Sequence, residues 1–466
     1  MDSIVTDSEL YPGKGLGRAS VNANPGYHTQ KDLYKPIKNG IWLYFFLLIF
    51  EGALRKWFLP GLATPLLIVR DPIALYIIIA AWQRKIIPSD PGLIWMTIIG
   101  FFSILTALCF GHGSLLVAAY GARILLLHFP LIFIIGSVFQ RDDVVKIGIV
   151  ILIIAIPMTF LIAAQFYSPQ SAWVNRGLGG DMKGAGFSGA LGYMRPPGTF
   201  SFTTGNSQFY SLVTCFVFYF LLNSKEINRI LLIASAFCLL AAIPLTISRS
   251  VFFQVIVTSL FVVIASIRNS KYIMKVIFGG LLLFAALAVL SQYSFFQTAT
   301  EAFTARFTNA SASEGGVEGT FLDRYLGGML TAIGNGFSGK LPFLGYGIGM
   351  GTNVASMFLQ GRRGFFVSEE EWGRIIAELG PIMGLGVIAI RVSLTFKIIR
   401  AGYKRLNQGD SLTWLLLSVG AIALAQGGWA QPTSLGFSII ISGLMLASIR
   451  SVILKSNKVT PVRSNS

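Results

Sequence analysis

The sequence is poor in charged residues, cysteine and histidine, and each shortage excludes a class of protein. Charged residues make up 12% of the 466 residues, whereas an ordinary soluble domain carries roughly 25%, so a soluble globular enzyme is excluded. All three cysteines lie inside apolar runs, which leaves neither a disulfide framework nor a thiolate metal site. The three histidines, His28, His112 and His128, are too scattered to indicate a metal cluster. We therefore expect no metal ion and no redox cofactor.

Apolar runs recur along almost the whole chain. Hydrophobic residues make up 54% of the sequence, and the mean hydropathy is +0.67. A membrane-spanning helix needs ~20 mostly apolar residues to cross a bilayer core of ~30 Å. Twelve stretches meet this requirement: 40–58, 65–83, 92–110, 115–137, 146–165, 206–222, 230–247, 250–267, 274–291, 377–396, 411–427 and 434–452. The sequence thus predicts an all-α polytopic membrane protein with about twelve transmembrane helices.

The basic residues concentrate on one side of this predicted membrane domain. Of the 37 Lys and Arg residues, 22 fall in the two tails and in the loops that share the side of the N-terminus. Positive charge accumulates in cytoplasmic loops, so we expect both termini in the cytoplasm. The net charge of +17 is then mostly a topology signal, which argues against a nucleic-acid partner.

The predicted membrane domain, residues 40–454, lies between polar tails at 1–39 and 455–466. The first tail lacks the apolar core of a cleavable signal peptide, and its composition predicts disorder. Two outside connections are long, at 166–205 and 292–372. The connection at the midpoint is short. A transporter built from two six-helix halves would have its longest connection there, so this asymmetry argues against that architecture.

Four arginines are expected at the outer face of the membrane. Arg195 opens the motif Arg-Pro-Pro-Gly-Thr-Phe just before the sixth span, and Arg249 separates two apolar runs with almost no loop to solvate it. Arg306 and Arg324 lie in the second long loop. Arginine at a membrane interface is a functional hypothesis by default. The alternative is that these side chains reach out to lipid phosphates.

Three consecutive carboxylates, Glu369, Glu370 and Glu371, precede the tenth predicted span. One interpretation is structural, because negative charge stabilises a helix N-terminus through the helix dipole. The other is a general base that accepts a sugar hydroxyl proton while arginines hold an anionic phosphate. The glycine-rich stretch 342–351 allows close backbone approach to a phosphate, although it does not fit the Walker pattern.

Several charged residues fall inside the predicted spans and must be paired or face a polar cavity. They are Glu51, Arg55, Arg70, Asp71, Arg123 and Arg391. Glu51 and Arg55 are four residues apart and share a helix face, so we expect an ion pair between them. Arg70 and Asp71 are adjacent and point in different directions, so each needs another partner.

The order and sidedness of these motifs resemble the bacterial O-antigen ligase and Wzy-type polysaccharide polymerase superfamily. The resemblance rests on Arg195-Pro-Pro-Gly-Thr-Phe before one span, Ile247-Ser-Arg-Ser between two spans, and Leu344-Gly-Tyr-Gly-Ile-Gly-Met-Gly in a long outside loop. The segments 50–60 and 67–72 look like the exopolysaccharide-associated branch of that superfamily.

The resemblance implies a glycosyltransferase-C-like fold in the bacterial inner (plasma) membrane. It also implies a metal-independent enzyme that uses a polyprenyl-diphosphate-linked glycan as its donor on the outer face. By local motif, the contacts to the diphosphate map onto Arg195, Arg249 and Arg324, with Arg306 as a further candidate. We place Arg249 among the catalytic residues as well, because it would stabilise the charge of the leaving group.

One difference from the superfamily bears on the reaction. Its ligases carry a histidine in the outside loop, and counting back from Glu378 and Gly380 places Glu369 at that position. This favours a polymerase in which Glu369, or its neighbour Glu370 or Glu371, is the general base. Because neighbours on a helix point in different directions, we expect Glu370 and Glu371 to tolerate loss of charge far better than Glu369.

The predicted activity is the joining of polyprenyl-diphosphate-linked oligosaccharide repeat units into a surface polysaccharide or exopolysaccharide. Two alternatives stay open. An O-antigen ligase would transfer a finished glycan to lipid A core, and a flippase or transporter would move a lipid-linked sugar without a catalytic carboxylate. The expected partners are the lipid-linked donor and acceptor, the lipid bilayer, and proteins of chain-length regulation and export.

Overall fold

The computed structural model describes residues 25–313, 334, 341–360 and 370–456. The helices within these residues, numbered in chain order, are α1 Pro25–Ala53, α2 Arg70–Gln83, α3 Pro91–Cys109, α4 Leu115–Arg123, α5 Phe129–Val138, α6 Arg141–Tyr167, α7 Thr203–Leu222, α8 Arg229–Leu245, α9 Arg249–Arg268, α10 Ile273–Leu290, α11 Ser294–Ser313, α12 Asn353–Gln360, α13 Glu371–Asn407, α14 Leu412–Gln426 and α15 Pro432–Ser456. The strands β1 Phe187–Ala190 and β2 Tyr193–Arg195 form an antiparallel hairpin.

Helices occupy all twelve of the predicted spanning stretches. Within the described residues, nine helical segments are long and apolar enough to cross a membrane. The shorter apolar helices α8 and α14, and the 20-residue α7, which begins with polar residues, occupy the other three stretches. The coarse prediction of an all-α membrane protein with several spans is therefore confirmed, whereas the number twelve stays a prediction.

The core of the bundle forms around α7, most of whose residues are buried. This helix packs against α6, α8, α9 and α14. Among the described residues, the most extensive contact between two elements joins α5 to α15. Helices at the periphery present their apolar residues outward, as the exposed side chains of Phe101, Leu105 and Leu281 show. This distribution is that of a protein whose surroundings are as apolar as its interior.

Two π-helical turns interrupt the helices. Leu54–Phe58 follows α1, and Ile124–His128 joins α4 to α5. A π-turn adds one residue without ending the helix, and such turns are frequent at functional sites. Both turns carry buried polar side chains, with Arg55 and Lys56 in the first and His128 in the second.

The segments predicted to share one side of the membrane contact each other. On the predicted cytoplasmic side, hydrogen bonds join Lys38 to Asp143, Arg141 to Glu226, and Asn223 to Ser411. On the predicted outer side, Trp57 stacks on Trp173 and Gly111 packs against Gly347. The grouping of the loops agrees with the alternation of spans, while the orientation of the two groups in a cell stays a prediction.

The native exposed residue Cys109, at the end of α3, tests that orientation. We expect Cys109 to react with a membrane-impermeant maleimide in intact spheroplasts, because α3 should end on the outer face. The comparison is the exposed Asn407, at the end of α13, in the variant Cys109→Ser/Asn407→Cys. It should react only after the membrane is permeabilised. Labelling of Asn407→Cys in intact spheroplasts, with protection of Cys109, would invert the topology.

Candidate functional site

Three arginines from separate segments come together on the predicted outer side. Arg195 ends β2, Arg249 begins α9, and Arg306 lies on α11. The Nη1 atom of Arg306 donates a hydrogen bond to the carbonyl oxygen of Gly189 in β1, at 3.2 Å, which brings α11 onto the hairpin that carries Arg195. We call these three side chains the arginine cluster.

The charges of Arg306 and Arg249 act on the Arg195 guanidinium. The pKa of Arg195 is lowered to about 10, first because the group is largely buried and then because Arg306 and Arg249 are positively charged. Its Nε atom is buried and has no hydrogen-bond partner among the described residues. Both nearby charges that shift this pKa repel the guanidinium. An anion bound among the three side chains would offset this repulsion and supply an acceptor for Arg195 Nε.

The predicted carboxylates have different surroundings. Glu369 and the fourth predicted arginine, Arg324, lie outside the described residues. Glu370 is exposed and forms the N-cap of α13, with its backbone carbonyl accepting a hydrogen bond from the Arg374 amide at 2.8 Å. The first part of α13 is anchored to α14, because Trp372 Nε1 donates to the Ala425 carbonyl at 3.0 Å.

The geometry of Glu371 argues against the expectation that this residue is an alternative general base. The residue is only 6% exposed. Its Oε1 atom accepts hydrogen bonds from Arg374 Nη2 at 2.9 Å and from Arg391 Nη1 at 2.7 Å, and its Oε2 atom accepts from Arg374 Nε at 3.0 Å. A carboxylate with both oxygens bound to guanidinium groups is poorly placed to take a proton from a substrate. Its role here is structural.

Glu371 belongs to a buried cluster of four charges in α13. Arg374 also binds Glu378 at 2.6 Å, and the Arg391 guanidinium lies 3.8 Å from the centre of the Trp429 ring. A cavity of about 10 Å³ beside the four charged groups has room for about one water molecule. The spacings of Arg374 from Glu371 and Glu378, three and four residues, are the sequence signal that indicates these two pairs.

The backbone of the glycine-rich stretch 342–351 closely approaches another part of the chain. It packs on a break in α13, where Gly380 has φ 77° and is followed by Pro381, which has no N–H group. The carbonyls that the break leaves unbonded are those of Ala377 and Glu378, and they accept hydrogen bonds from Tyr346 N at 2.8 Å and Gly347 N at 3.0 Å. These amides therefore hold the helix together at its break.

The six charged residues singled out inside the predicted spans are paired, as expected. Glu51 binds Arg55 at 3.1 Å, which confirms the predicted ion pair, and it also binds Arg70 at 3.2 Å. Asp71 lies 2.7 Å from Arg123 Nη1. Two further pairs complete the network: His128 Nε2 with Asp71 at 2.9 Å, and His128 Nδ1 with the Tyr44 hydroxyl at 3.0 Å. The sequence carried no signal for the role of His128, because its partners come from two other helices.

Comparisons of the chain with protein-family models, curated proteins and solved structures give no match. Among the described residues, no group of three or more His, Cys, Asp or Glu side chains is placed to hold a metal ion. The fold and the site define the class of protein: an all-α membrane protein with several candidate spans and a cluster of arginines from three separate segments. The activity is inferred from the chemistry of that cluster.

Proposed function

We propose that the protein is a membrane glycosyltransferase that polymerises polyprenyl-diphosphate-linked oligosaccharide repeat units on the outer face of the bacterial inner membrane. The observation that supports this function is the arginine cluster. Arg195, Arg249 and Arg306 come from three segments, and the charges of Arg249 and Arg306 repel that of Arg195, whose buried Nε has no partner among the described residues. Both features favour a bound anion. A diphosphate fits, because its oxygens accept several hydrogen bonds from planar guanidinium groups.

The proposed reaction forms one glycosidic bond and breaks one bond to phosphate. The general base, Glu369, takes the proton from a hydroxyl group of the acceptor sugar. The resulting oxygen attacks the anomeric carbon of the donor, whose bond to the diphosphate oxygen breaks. Polyprenyl diphosphate leaves with the electron pair, and the arginine cluster stabilises the negative charge that develops on it.

The direct test is to incubate the purified protein in lipid nanodiscs with a lipid-linked oligosaccharide and to separate the products by gel electrophoresis. A ladder of longer glycans, with release of polyprenyl diphosphate, supports polymerisation. A single transfer to an added lipid A core acceptor would replace this proposal with a ligase. Movement of the substrate across the bilayer without a new bond would replace it with a flippase.

Arg249→Lys tests whether the phosphate is bound by the paired N–H donors of a planar guanidinium group or by positive charge alone. We expect kcat/KM to fall about tenfold to a hundredfold, because a hydrogen bond to a charged group contributes about 1.5–3 kcal/mol. The matched control is Arg268→Lys, the same substitution at the exposed opposite end of α9. It should leave the rate unchanged. Wild-type activity in Arg249→Ala would exclude Arg249 from the phosphate site.

A further inference from the structure

The turn that follows Arg195 is held from several sides by buried hydrogen bonds. At its centre lies Gly198, whose N–H donates to Gln165 Oε1 at 2.8 Å. The carbonyl oxygen of Gly198 accepts two hydrogen bonds, from Gln165 Nε2 at 3.2 Å and from Lys56 Nζ at 2.6 Å. Gln165 comes from α6 and Lys56 from the π-turn after α1, so two separate segments hold the backbone of one residue.

Lys56 is the unusual member of this arrangement. Its side chain is fully buried, at 0% exposure, although a lysine near the end of a span ordinarily extends to the aqueous interface. Its ammonium donates to the carbonyls of Gly198 at 2.6 Å and Phe200 at 2.9 Å, and it lies 4.5 Å from the centre of the Trp57 ring. Burying a cation costs free energy. The two carbonyl bonds offset part of that cost only while the turn keeps its shape.

Other contacts restrict the turn further. Thr199 Oγ1 donates to the Ile49 carbonyl of α1 at 2.7 Å, and Asn206 Nδ2 donates to the Pro196 carbonyl at 3.0 Å. Gly52 of α1 lies directly against the turn, since a Cβ there would be 2.4 Å from the backbone nitrogen of Ser201. The residues that follow Arg195 in its motif are therefore bound to the bundle.

We infer that Lys56 is a positioning residue, which fixes this turn and thereby the place of the Arg195 guanidinium in the arginine cluster. The inference rests on the proposed function, because it assigns the fixed arginine to a diphosphate. Lys56 does not touch the substrate. It acts through the backbone of Gly198 and Phe200, three and five residues after Arg195.

A distance measurement tests the positioning without use of the enzyme activity. Spin labels are placed on the native exposed Cys109 and on the exposed hairpin position Met194→Cys. With Lys56 present, we expect pulsed electron paramagnetic resonance to give one narrow distribution of the distance between the two labels. Lys56→Met should broaden it, because the carbonyls lose their shared donor. The exposed Lys183→Met, in the same outside loop, is the matched control and should leave the distribution narrow.

Binding of inorganic pyrophosphate, measured by calorimetry on the same proteins, supplies the second readout. Lys56→Met should raise the Kd about tenfold, because displacement of a group by ~1 Å can cost up to ~100-fold. The milder Thr199→Val removes one hydroxyl from the turn, and it should also broaden the distance distribution and raise the Kd. This variant keeps the inference testable if Lys56→Met does not fold.

The outcomes separate the inference from the proposed function. A narrow distance distribution in Lys56→Met overturns the positioning role, whatever the protein catalyses. A broadened distribution with an unchanged Kd for pyrophosphate also overturns the inference, since the fixed arginine would then not serve an anion. Suppose that Lys56→Met broadens the distribution and raises the Kd for pyrophosphate, while the wild-type protein does not polymerise glycans. The positioning role then stands, and only the proposed reaction fails.

Discussion

Replacement of Glu369 by glutamine is expected to lower the polymerisation rate about 100-fold to 10,000-fold, which is the usual contribution of a general base. The substitution keeps the shape of the side chain and removes its ability to accept a proton. The measurement is the initial rate of glycan elongation at equal amounts of folded protein. Substrate binding should change little, because the arginine cluster holds the donor.

Glu370→Gln is the matched control for this variant. Glu370 is exposed at the N-cap of α13, one residue further along the chain. We expect a rate near that of the wild type, because neighbouring residues point in different directions. Equal and mild losses in both variants would reduce the carboxylates to a solvated helix start and remove Glu369 from the reaction.

Glu371→Gln is expected to act on stability rather than on the chemical step. Arg391, which is fully buried, would lose its carboxylate and keep the carbonyls of Leu424 and Gly427 as acceptors. Removal of one partner from a buried ion pair costs about 3–5 kcal/mol. The measurement is the free energy of unfolding of the protein in detergent.

The control for this loss is Glu301→Gln on α11, where the side chain is exposed and the effect should be small. The double variant Glu371→Gln/Arg391→Gln should cost less than the sum of the two single variants, because each removes the partner of the other. Strict additivity of the two losses would show that the pair is not coupled.

The sequence was sufficient for the parts of the structure that depend on local pattern. A helix spans ~20 apolar residues wherever it crosses a membrane, so the apolar runs located the helices. They did not locate every helix end, because α1 begins 15 residues before the predicted stretch 40–58 and α13 ends 11 residues after the predicted stretch 377–396. The pair Glu51–Arg55 followed from a spacing of four residues on one helix face. Both features are set by neighbours along the chain, which the sequence displays directly.

The partners of other groups depend on contacts between distant segments. Arg70 binds Glu51 across 19 residues, and Arg391 binds Glu371 across 20 residues and a helix break. Arg306 meets the hairpin of Arg195 through a backbone carbonyl, which has no signature in the sequence. Local spacing cannot specify such contacts, because they are set by how helices pack.

The contact partner of the glycine-rich stretch 342–351 is also set by the fold and not by local sequence. Its composition indicated close backbone approach, and the structure contains such an approach. The partner is a broken helix of the same chain, where Pro381 and Gly380 leave carbonyls to be bonded. Glycine allows a backbone to come close to another group, and only the fold decides which group that is.

The two π-turns limit how this chain can change in length. Each already holds one residue more than an α-helix of the same extent, so a further residue inserted into 124–128 has no bulge to take it up and would rotate all of α5 by roughly 100°. The face of α5 that packs on α15 would turn away, and His128 would leave Asp71. Insertions should therefore be tolerated in the outside loops and excluded from these turns, although both turns are only five residues long.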